Sequence, residues 1–213
     1  MLTLYFYPGN ANLAPHMLLE EIGVPHRLEL VDRAVGAHKD AAYLKLNPHG
    51  RLPTLVDGAL VLTEAAAICL HLADTHPEAQ LAPPMGTAAR ADLYRWLMYL
   101  TNTVQTEMLF YFYPERLADD AAMAARVKHH AELRVAEMFD QIELALQAGD
   151  GDHLTGTRFS AADAYLLMVS RWSRMMVRPA RSRPVLARYL ANLAARPAIQ
   201  RAFAAEGIDA PYY

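Results

Sequence analysis

The side chains best suited to chemistry lie at the predicted starts of two helices. Asn10 and Asn12 lie at the start of one helix, and Glu64 opens another. Amides donate and accept hydrogen bonds, and the free N–H groups of a helix N-terminus attract anions. Each of these residues could instead have a purely structural role. Asn12 could cap its helix and Asn10 could close a turn, while Glu64 could stabilise its own helix dipole.

The elements that must position these residues follow the order βαβ-ββα over the first 75 residues. The predicted elements are strand 2–7, helix 10–21, strand 26–31, short helix 41–46, strands 54–56 and 59–62, and helix 64–75. Strand, helix and strand in about 30 residues favour a parallel βαβ unit. Asp57-Gly58 between two apolar runs indicates a hairpin, and Thr63 is the predicted cap of the last helix. The pattern therefore predicts an α/β domain with a mixed sheet.

The remainder of the chain is predicted to be all-helical. The predicted helices are 87–112, 120–148, 161–174, 184–195 and 198–206, and Gly149-Asp150-Gly151-Asp152 is expected to break the second. Residues 77–87 hold three prolines and one glycine, which are typical of a linker. We therefore predict an N-terminal domain over 1–77, a linker over 78–87 and a helical C-terminal domain over 88–213.

The composition excludes several classes of protein. The 213 residues carry a net charge of −3, which does not favour nucleic acid or an anionic membrane as a partner. The single cysteine, Cys69, rules out an intramolecular disulfide. Without a signal peptide or a membrane-spanning run, the expected location is the cytoplasm.

Three motifs resemble the cytosolic glutathione transferase family. Their local sequence is most similar to the bacterial beta-type members of that family. Residues 47–55 resemble the family's loop before a cis-proline, residues 62–68 resemble its glutathione-binding helix start, and residues 159–165 resemble a helical core segment. In the last motif Ser160 and Asp163 form a predicted reciprocal cap, which concerns folding and not catalysis. The resemblance covers essentially the whole chain and implies a thioredoxin-like N-terminal domain.

The resemblance implies where glutathione binds. Leu52 precedes Pro53, the proline that is cis in the family, and its backbone would pair with the cysteinyl part of glutathione. Glu64 would hold the γ-glutamyl amine, and the helix start at Ala65 would hold the γ-glutamyl carboxylate. His38 and Lys39 match loosely the region that contacts the glycine carboxylate.

Two positions depart from the family pattern. Ala11 lies where beta-type enzymes have a cysteine, so mixed-disulfide chemistry on that residue is absent, and Asn10 and Asn12 are the candidate donors to the thiol. Tyr5 and Tyr7 are alternative donors. Ala65 lies where the family has a serine, and the missing hydroxyl predicts glutathione binding weaker by roughly ten- to a hundred-fold.

The predicted second-substrate pocket lies in the helical half. Its candidate residues are Asn102, Gln105, Tyr111 and Tyr113. Aromatic walls with a few polar groups suit a flat hydrophobic electrophile. The leading hypothesis is a homodimeric glutathione transferase. The alternatives are a non-catalytic binding protein, favoured by Ala11 and Ala65, and a glutathione-dependent isomerase or dehalogenase of the same fold.

Nine histidines raise the question of a metal ion. No standard metal-ligand motif or cysteine–histidine cluster is present. The sequence therefore predicts no metal cofactor, and Cys69 is interpreted as an inert core thiol.

Overall fold

The computed structural model describes residues 1–149 and 152–213, which divide into two compact units. The first unit contains residues 1–82 and 194–212, and the second contains 83–193 together with Tyr213. The C-terminal segment therefore returns to the first unit. The limits of 1–77 and 88–213 for functional domains stay a prediction.

The first unit is built on a four-stranded mixed sheet. Its strands are β1 (Leu2–Phe6), β2 (His26–Leu30), β3 (Thr54–Asp57) and β4 (Leu60–Thr63), in the order β2-β1-β3-β4. β1 pairs in parallel with β2 and antiparallel with β3, which pairs antiparallel with β4. The βαβ unit, the Asp57-Gly58 hairpin and the mixed sheet predicted from the sequence are confirmed.

The helices of the first unit cover the sheet and one another. They are α1 (Leu13–Ile22), the short α2 (Ala41–Leu44), α3 (Ala65–Thr75) and the C-terminal α9 (Pro197–Ala205). α1 packs against both α3 and α9. The predicted end of α1 is confirmed, since Gly23 adopts φ +74 and its N–H donates to the carbonyl of Leu19. A left-handed residue is common at a helix end because glycine adopts it without steric cost.

The start of α3 differs from the prediction. Thr63 is the last residue of β4 and does not cap the helix, whose N-cap residue is Glu64. The threonine pattern was misleading because the strand runs directly into the helix with no intervening turn. Similarly, α1 begins at Leu13, three residues later than predicted, since residues 8–12 form turns.

Over its described residues, the second unit has helices as its regular elements and no strand beyond an isolated bridge between His153 and Gly156. The helices are α4 (Ala88–Met98), α5 (Thr106–Phe112), α6 (Ala121–Ala148), α7 (Ala161–Trp172) and α8 (Pro184–Ala194). The side chains of Thr87 and Asp120 accept from the N–H groups of Arg90 and Met123, so both predicted helix starts are capped. Of the predicted break at 149–152, Asp150 and Gly151 lie outside the described residues.

A π-helical segment over Tyr99–Gln105 joins α4 to α5. The sequence predicted one regular helix over 87–112, so this segment was missed. π-helical turns are rare and frequently accompany functional sites.

Helix α7 is almost entirely buried, since all its residues from Ala161 to Ser170 are essentially inaccessible to solvent. Its predicted capping box is present, with the Asp163 carboxylate accepting from Ser160 N and Oγ at 2.7 Å each. Asp163 also accepts from the N–H of Leu154 and the hydroxyl of Tyr189. Burial of the ring, together with the neighbouring Asp163 carboxylate, raises the pKa of Tyr189 well above its ordinary value. Among the described residues, no helix is long and apolar enough to cross a membrane.

Candidate functional site

Three of the predicted site segments meet at one end of the sheet. Thr54, the first residue of β3, pairs with Tyr5 near the end of β1 and with Thr63 at the end of β4. Pro53, Glu64 and the turn after Phe6 are continuous with these paired residues. The topology thus brings together the glutathione-binding segments predicted from distant parts of the sequence.

The loop before β3 presents an unpaired strand edge. The Leu52–Pro53 peptide bond is cis, as the resemblance implies. Within the described part of the chain, neither the N–H nor the C=O of Leu52 forms a hydrogen bond. Its side chain packs instead into a small cluster with Val31 and Tyr43. An extended peptide could pair with these free backbone groups in the manner of an added strand.

Side chains from within and just before the loop hold it in place. The Tyr43 hydroxyl donates to the carbonyl of Arg51 at 2.7 Å and lies 2.9 Å from Thr54 Oγ1. Asn47 Nδ2 also donates to the Arg51 carbonyl, at 2.8 Å. Burial raises the pKa of Tyr43 above its ordinary value, which keeps the phenol protonated as a donor. The sequence motif indicated Asn47 only as part of a loop, and the role of Tyr43 was missed.

Glu64 lies at the start of α3 in a rarely populated backbone conformation. Its φ is +68° and its ψ is +112°, and its side chain is exposed. Residues other than glycine persist in such regions only when the surrounding structure demands it, and they cluster at functional sites. α3 has no side-chain N-cap, so the N–H groups of its first turn, from Ala65 onward, are available to an anion.

The turn after β1 separates the roles of its two asparagines. Asn12 is fully buried and occupies the N-cap position without capping α1. Its Oδ1 accepts from Tyr7 N at 3.1 Å, and its Nδ2 donates to Glu206 at 2.9 Å. Asn10 is half-buried, and its Oδ1 accepts from Ala11 N at 2.8 Å. Among the described residues Asn10 Nδ2 forms no hydrogen bond, so Asn10 has a donor available that Asn12 lacks.

Glu206 accepts hydrogen bonds from the turn after β1 and from α1. The sequence analysis did not identify this residue. The residue follows α9, is 97% buried, and accepts hydrogen bonds from Gly9 N at 2.7 Å, from Asn12 Nδ2 and from His16 Nδ1 at 2.8 Å. Its partners are 190 or more residues away in the chain. No local pattern could have indicated them.

His38 and Lys39 lie on the rim of the same loop. The exposed Lys39 donates to the carbonyl of His49 at 3.3 Å. Gly50 has φ +56, and a Cβ there would meet His38 O at 2.7 Å and Lys39 Nζ at 2.8 Å. Partial burial and the nearby Arg33 and Lys39 charges lower the pKa of His38. The pair therefore lies against the loop, and of the two Lys39 carries the charge suited to a carboxylate.

The four predicted second-substrate residues lie in the second unit. Asn102 and Gln105 both belong to the π-helical segment, with Asn102 exposed and Gln105 accepting from the Tyr165 hydroxyl at 2.5 Å. Tyr111 is buried beneath Lys128, whose Nζ lies 4.7 Å from the ring centre, and Tyr113 stacks under Arg116 at 4.0 Å.

The described surface also carries a groove that does not use these four residues. It is lined by Phe110, Leu117, Met123, Arg126, Val127, His130 and Arg134. The predicted second-substrate pocket therefore stays a prediction.

Cys69 is fully buried in α3, and burial raises the pKa of its thiol far above the ordinary value. The interpretation of Cys69 as a core thiol agrees with this burial. A reactive thiol at this site would therefore have to come from a bound molecule.

These observations define a class of protein: a thioredoxin-like unit with a cis-proline loop beside a free helix N-terminus, followed by an all-helical unit. Residues 1–74 match the model of the glutathione S-transferase N-terminal domain, and residues 100–197 match that of the C-terminal domain. The chain belongs to the glutathione S-transferase family.

Individual relatives are similar over their whole length. The glutathione S-transferase GstA of Escherichia coli is 29% identical over 97% of this chain and 100% of its own. The structure of a Xylella fastidiosa glutathione S-transferase has a TM-score of 0.90 and 30% identity, covering 98% of this chain and 100% of that one. A sphingomonad glutathione S-transferase complexed with glutathione has a TM-score of 0.84 and 32% identity, with 97% and 100% coverage.

The recognition of the family, the two-part fold and the transferase class predicted from the sequence are thereby confirmed. The roles of the individual site residues stay predictions.

Proposed function

We propose that the protein binds glutathione, ionises its thiol and transfers it to a hydrophobic electrophile. The observation that carries this proposal is the meeting of two free backbone sites at one sheet end, the unpaired backbone of Leu52 beside cis-Pro53 and the uncapped start of α3 at Glu64 and Ala65. An extended tripeptide with a carboxylate at one end suits both.

Each part of glutathione has a candidate partner in this arrangement. The backbone of Leu52 pairs with the cysteinyl unit, Glu64 accepts from the γ-glutamyl amine, and the N–H of Ala65 donates to the γ-glutamyl carboxylate. Lys39, next to His38, is the cation for the glycine carboxylate. The binding of glutathione by the sphingomonad relative supports this assignment.

The chemical step requires a thiolate. An ordinary thiol has a pKa near 8.5, and lowering it by about two units takes roughly 2.7 kcal/mol of preferential stabilisation. We assign this stabilisation to the amide of Asn10 and to the N-terminus of α1, with Asn12 keeping the turn in place. The thiol proton leaves to solvent, and the thiolate forms a carbon–sulfur bond as the leaving group departs from the electrophile with its electron pair.

The electrophile would contact the second unit through Asn102, Gln105, Tyr111 and Tyr113. The rare π-helical geometry of the segment bearing Asn102 and Gln105 supports a functional role for it. We further propose that the protein acts in the cytoplasm as a homodimer, as the family resemblance implies.

Calorimetric titration of reduced glutathione tests the proposal. We expect sub-millimolar binding that weakens at least tenfold in Glu64→Ala, because the amine loses its carboxylate partner. Glu78→Ala, which removes an exposed acid outside the site, is the matched control and should bind as the parent does.

The titration also separates the alternatives. Absence of binding at several millimolar would overturn the transferase proposal and favour a non-catalytic protein, to which Ala11 and Ala65 already point. If glutathione binds, a screen of chlorinated aromatic electrophiles with Asn10→Ala measures the thiol step. A loss in kcat/KM of about tenfold or more is expected for that variant.

A further inference from the structure

We propose that the first unit contains a binding site for a zinc-type divalent metal ion, formed by His16, Glu20 and His26. One ligand atom from each of these residues lies within 4.8 Å of the others. His16 and Glu20 are four residues apart on α1 and therefore share a helix face, and His26 begins β2 immediately after the loop that follows the helix.

Within residues 1–149 and 152–213, the hydrogen bonds of the two histidines use one nitrogen of each ring and leave the other free. His16 Nδ1 lies 2.8 Å from Glu206 Oε1, and His26 Nδ1 lies 3.0 Å from the carbonyl oxygen of Val24. Both partners are acceptors, so each Nδ1 carries the proton and each Nε2 offers a lone pair. A histidine that donates through one nitrogen to a carboxylate or carbonyl and binds metal through the other is the usual arrangement at metal sites.

His16 Nε2 is a buried polar atom that points to a ligand. The His16 side chain is completely buried, and none of the residues that the structure describes forms a hydrogen bond with its Nε2. Leaving a buried polar atom unpaired is unfavourable, and such atoms are rare in folded proteins. The His16 ring meets the His26 ring edge-on with 6.0 Å between centroids, so the free nitrogen belongs to a ring packed directly against the second ligand.

Glu20 supplies the oxygen ligand. Its Oε1 lies 3.7 Å from His26 Nε2, which is longer than a hydrogen bond. Its Oε2 accepts from Arg201 Nε at 2.6 Å, and Arg201 also donates to the Glu20 carbonyl. This guanidinium competes for the negative charge of the carboxylate but leaves Oε1 free and fixes its direction.

Two histidines and one carboxylate, with a water as the fourth ligand, form a set that zinc accepts. Zinc lies about 2.0–2.2 Å from each ligand, so the three atoms must approach one another by roughly an ångström from their present separation. The side chains of Glu20 and His26 are 18% and 13% exposed, which gives both room to rotate and the ion a path of entry. The sequence offered no standard motif for this site, because the third ligand follows a turn.

Metal titration of the untagged full chain tests this site. Zn²⁺ is added in competition with a chromophoric chelator, and Co²⁺ is added as a spectroscopic probe of coordination geometry, both in the absence of glutathione. We expect one ion per chain and a tetrahedral-type Co²⁺ spectrum. His26→Gln and Glu20→Gln should each weaken binding by about tenfold or more, because changes in outer-shell partners alone cost about 10- to 100-fold.

His130→Gln is the matched control, because His130 is exposed on α6 in the other unit. It should leave metal binding unchanged, and Glu64→Ala should do so too, which separates this test from that of the proposed function.

Zn²⁺ should also raise the melting temperature of the parent but not of His26→Gln. Absence of binding, equal binding by His26→Gln and Glu20→Gln, or binding lost in His130→Gln would each overturn the proposal. If one variant does not fold, the other decides the outcome.

Discussion

Ala65 occupies the position in the first turn of α3 where the resembled family has a serine, and it is 6% exposed. Returning the hydroxyl should give the γ-glutamyl carboxylate one more donor. A hydrogen bond to a charged group contributes about 1.5–3 kcal/mol, so Ala65→Ser should tighten glutathione binding by about tenfold or more. Calorimetry measures this. Ala67→Ser adds the same hydroxyl two residues further on and should change nothing. Equal affinities for Ala65→Ser and the parent would mean that the carboxylate lies elsewhere.

At Glu64 we expect the backbone conformation to reduce the stability of the fold and the side chain to strengthen glutathione binding. A non-glycine residue at its φ of +68° costs about 1–3 kcal/mol. Glu64→Gly should therefore raise the free energy of unfolding by about 1 kcal/mol, after the entropy cost of glycine, while glutathione binding is lost. Urea denaturation and calorimetry measure the two effects. Gln80→Gly, at the other non-glycine positive φ among the described residues, should leave glutathione affinity unchanged. A destabilised Glu64→Gly would contradict the assignment of strain.

The residue types of the candidate site follow local sequence patterns, but the partner of each side chain does not. The motifs indicated Leu52, Pro53 and Glu64 as candidates because each belongs to a local pattern. Asn12 was an equally good candidate for the thiol on sequence grounds. Its amide is instead buried between Tyr7 and Glu206, and a contact across 194 residues leaves no trace in the local sequence.

At the scale of elements, the end of α9 supports the turn that follows β1. Glu206→Ala would leave Asn12 Nδ2 and His16 Nδ1 without their acceptor in a buried site and would remove the hydrogen bond from Gly9 N to this carboxylate. Removing one partner of a buried charged network costs about 3–5 kcal/mol. We therefore expect a loss of about this size in urea denaturation, with weaker glutathione binding.

Asp209→Ala is the control for this prediction, since it removes an exposed acid three residues away. It should change the free energy of unfolding by less than about 0.5 kcal/mol. If Glu206→Ala cost no more than Asp209→Ala, Glu206 would not support the turn.

Elements were predictable where a local signal determined their ends. The Asp57-Gly58 turn fixed the hairpin, Gly23 ended α1, and Thr87 and Asp120 capped their helices. The π-helical segment over Tyr99–Gln105 was not predictable, since its composition suits a regular helix equally well. The Thr63 cap failed because a threonine before a helix also suits the end of a strand.

At the scale of the whole molecule, segments that are distant in the sequence belong to the same compact unit. The last helix follows the helical unit in the chain but belongs to the sheet-containing unit. Two ion pairs, Arg196 with Glu21 and Arg201 with Glu20, join it to α1, in addition to the buried Glu206. Phe203 and Ile199 of α9 are buried there as well. The sequence predicted this helix, and only its position in the chain suggested membership of the C-terminal domain predicted over 88–213.

This membership predicts that the first unit depends on the C-terminus. A chain ending at residue 193 would expose the α9-facing side of α1 and leave its buried polar groups without Glu206. We expect this chain to lose glutathione binding and to unfold at a clearly lower urea concentration, because burial of each large apolar side chain contributes about 1.5–3 kcal/mol. A chain ending at Asp209 keeps α9 and Glu206 and should retain binding. Adding a synthetic peptide of residues 194–213 to the shorter chain should restore part of the affinity, since the peptide supplies the missing helix. Full binding and unchanged stability in the chain that ends at residue 193 would show that the first unit is complete without α9.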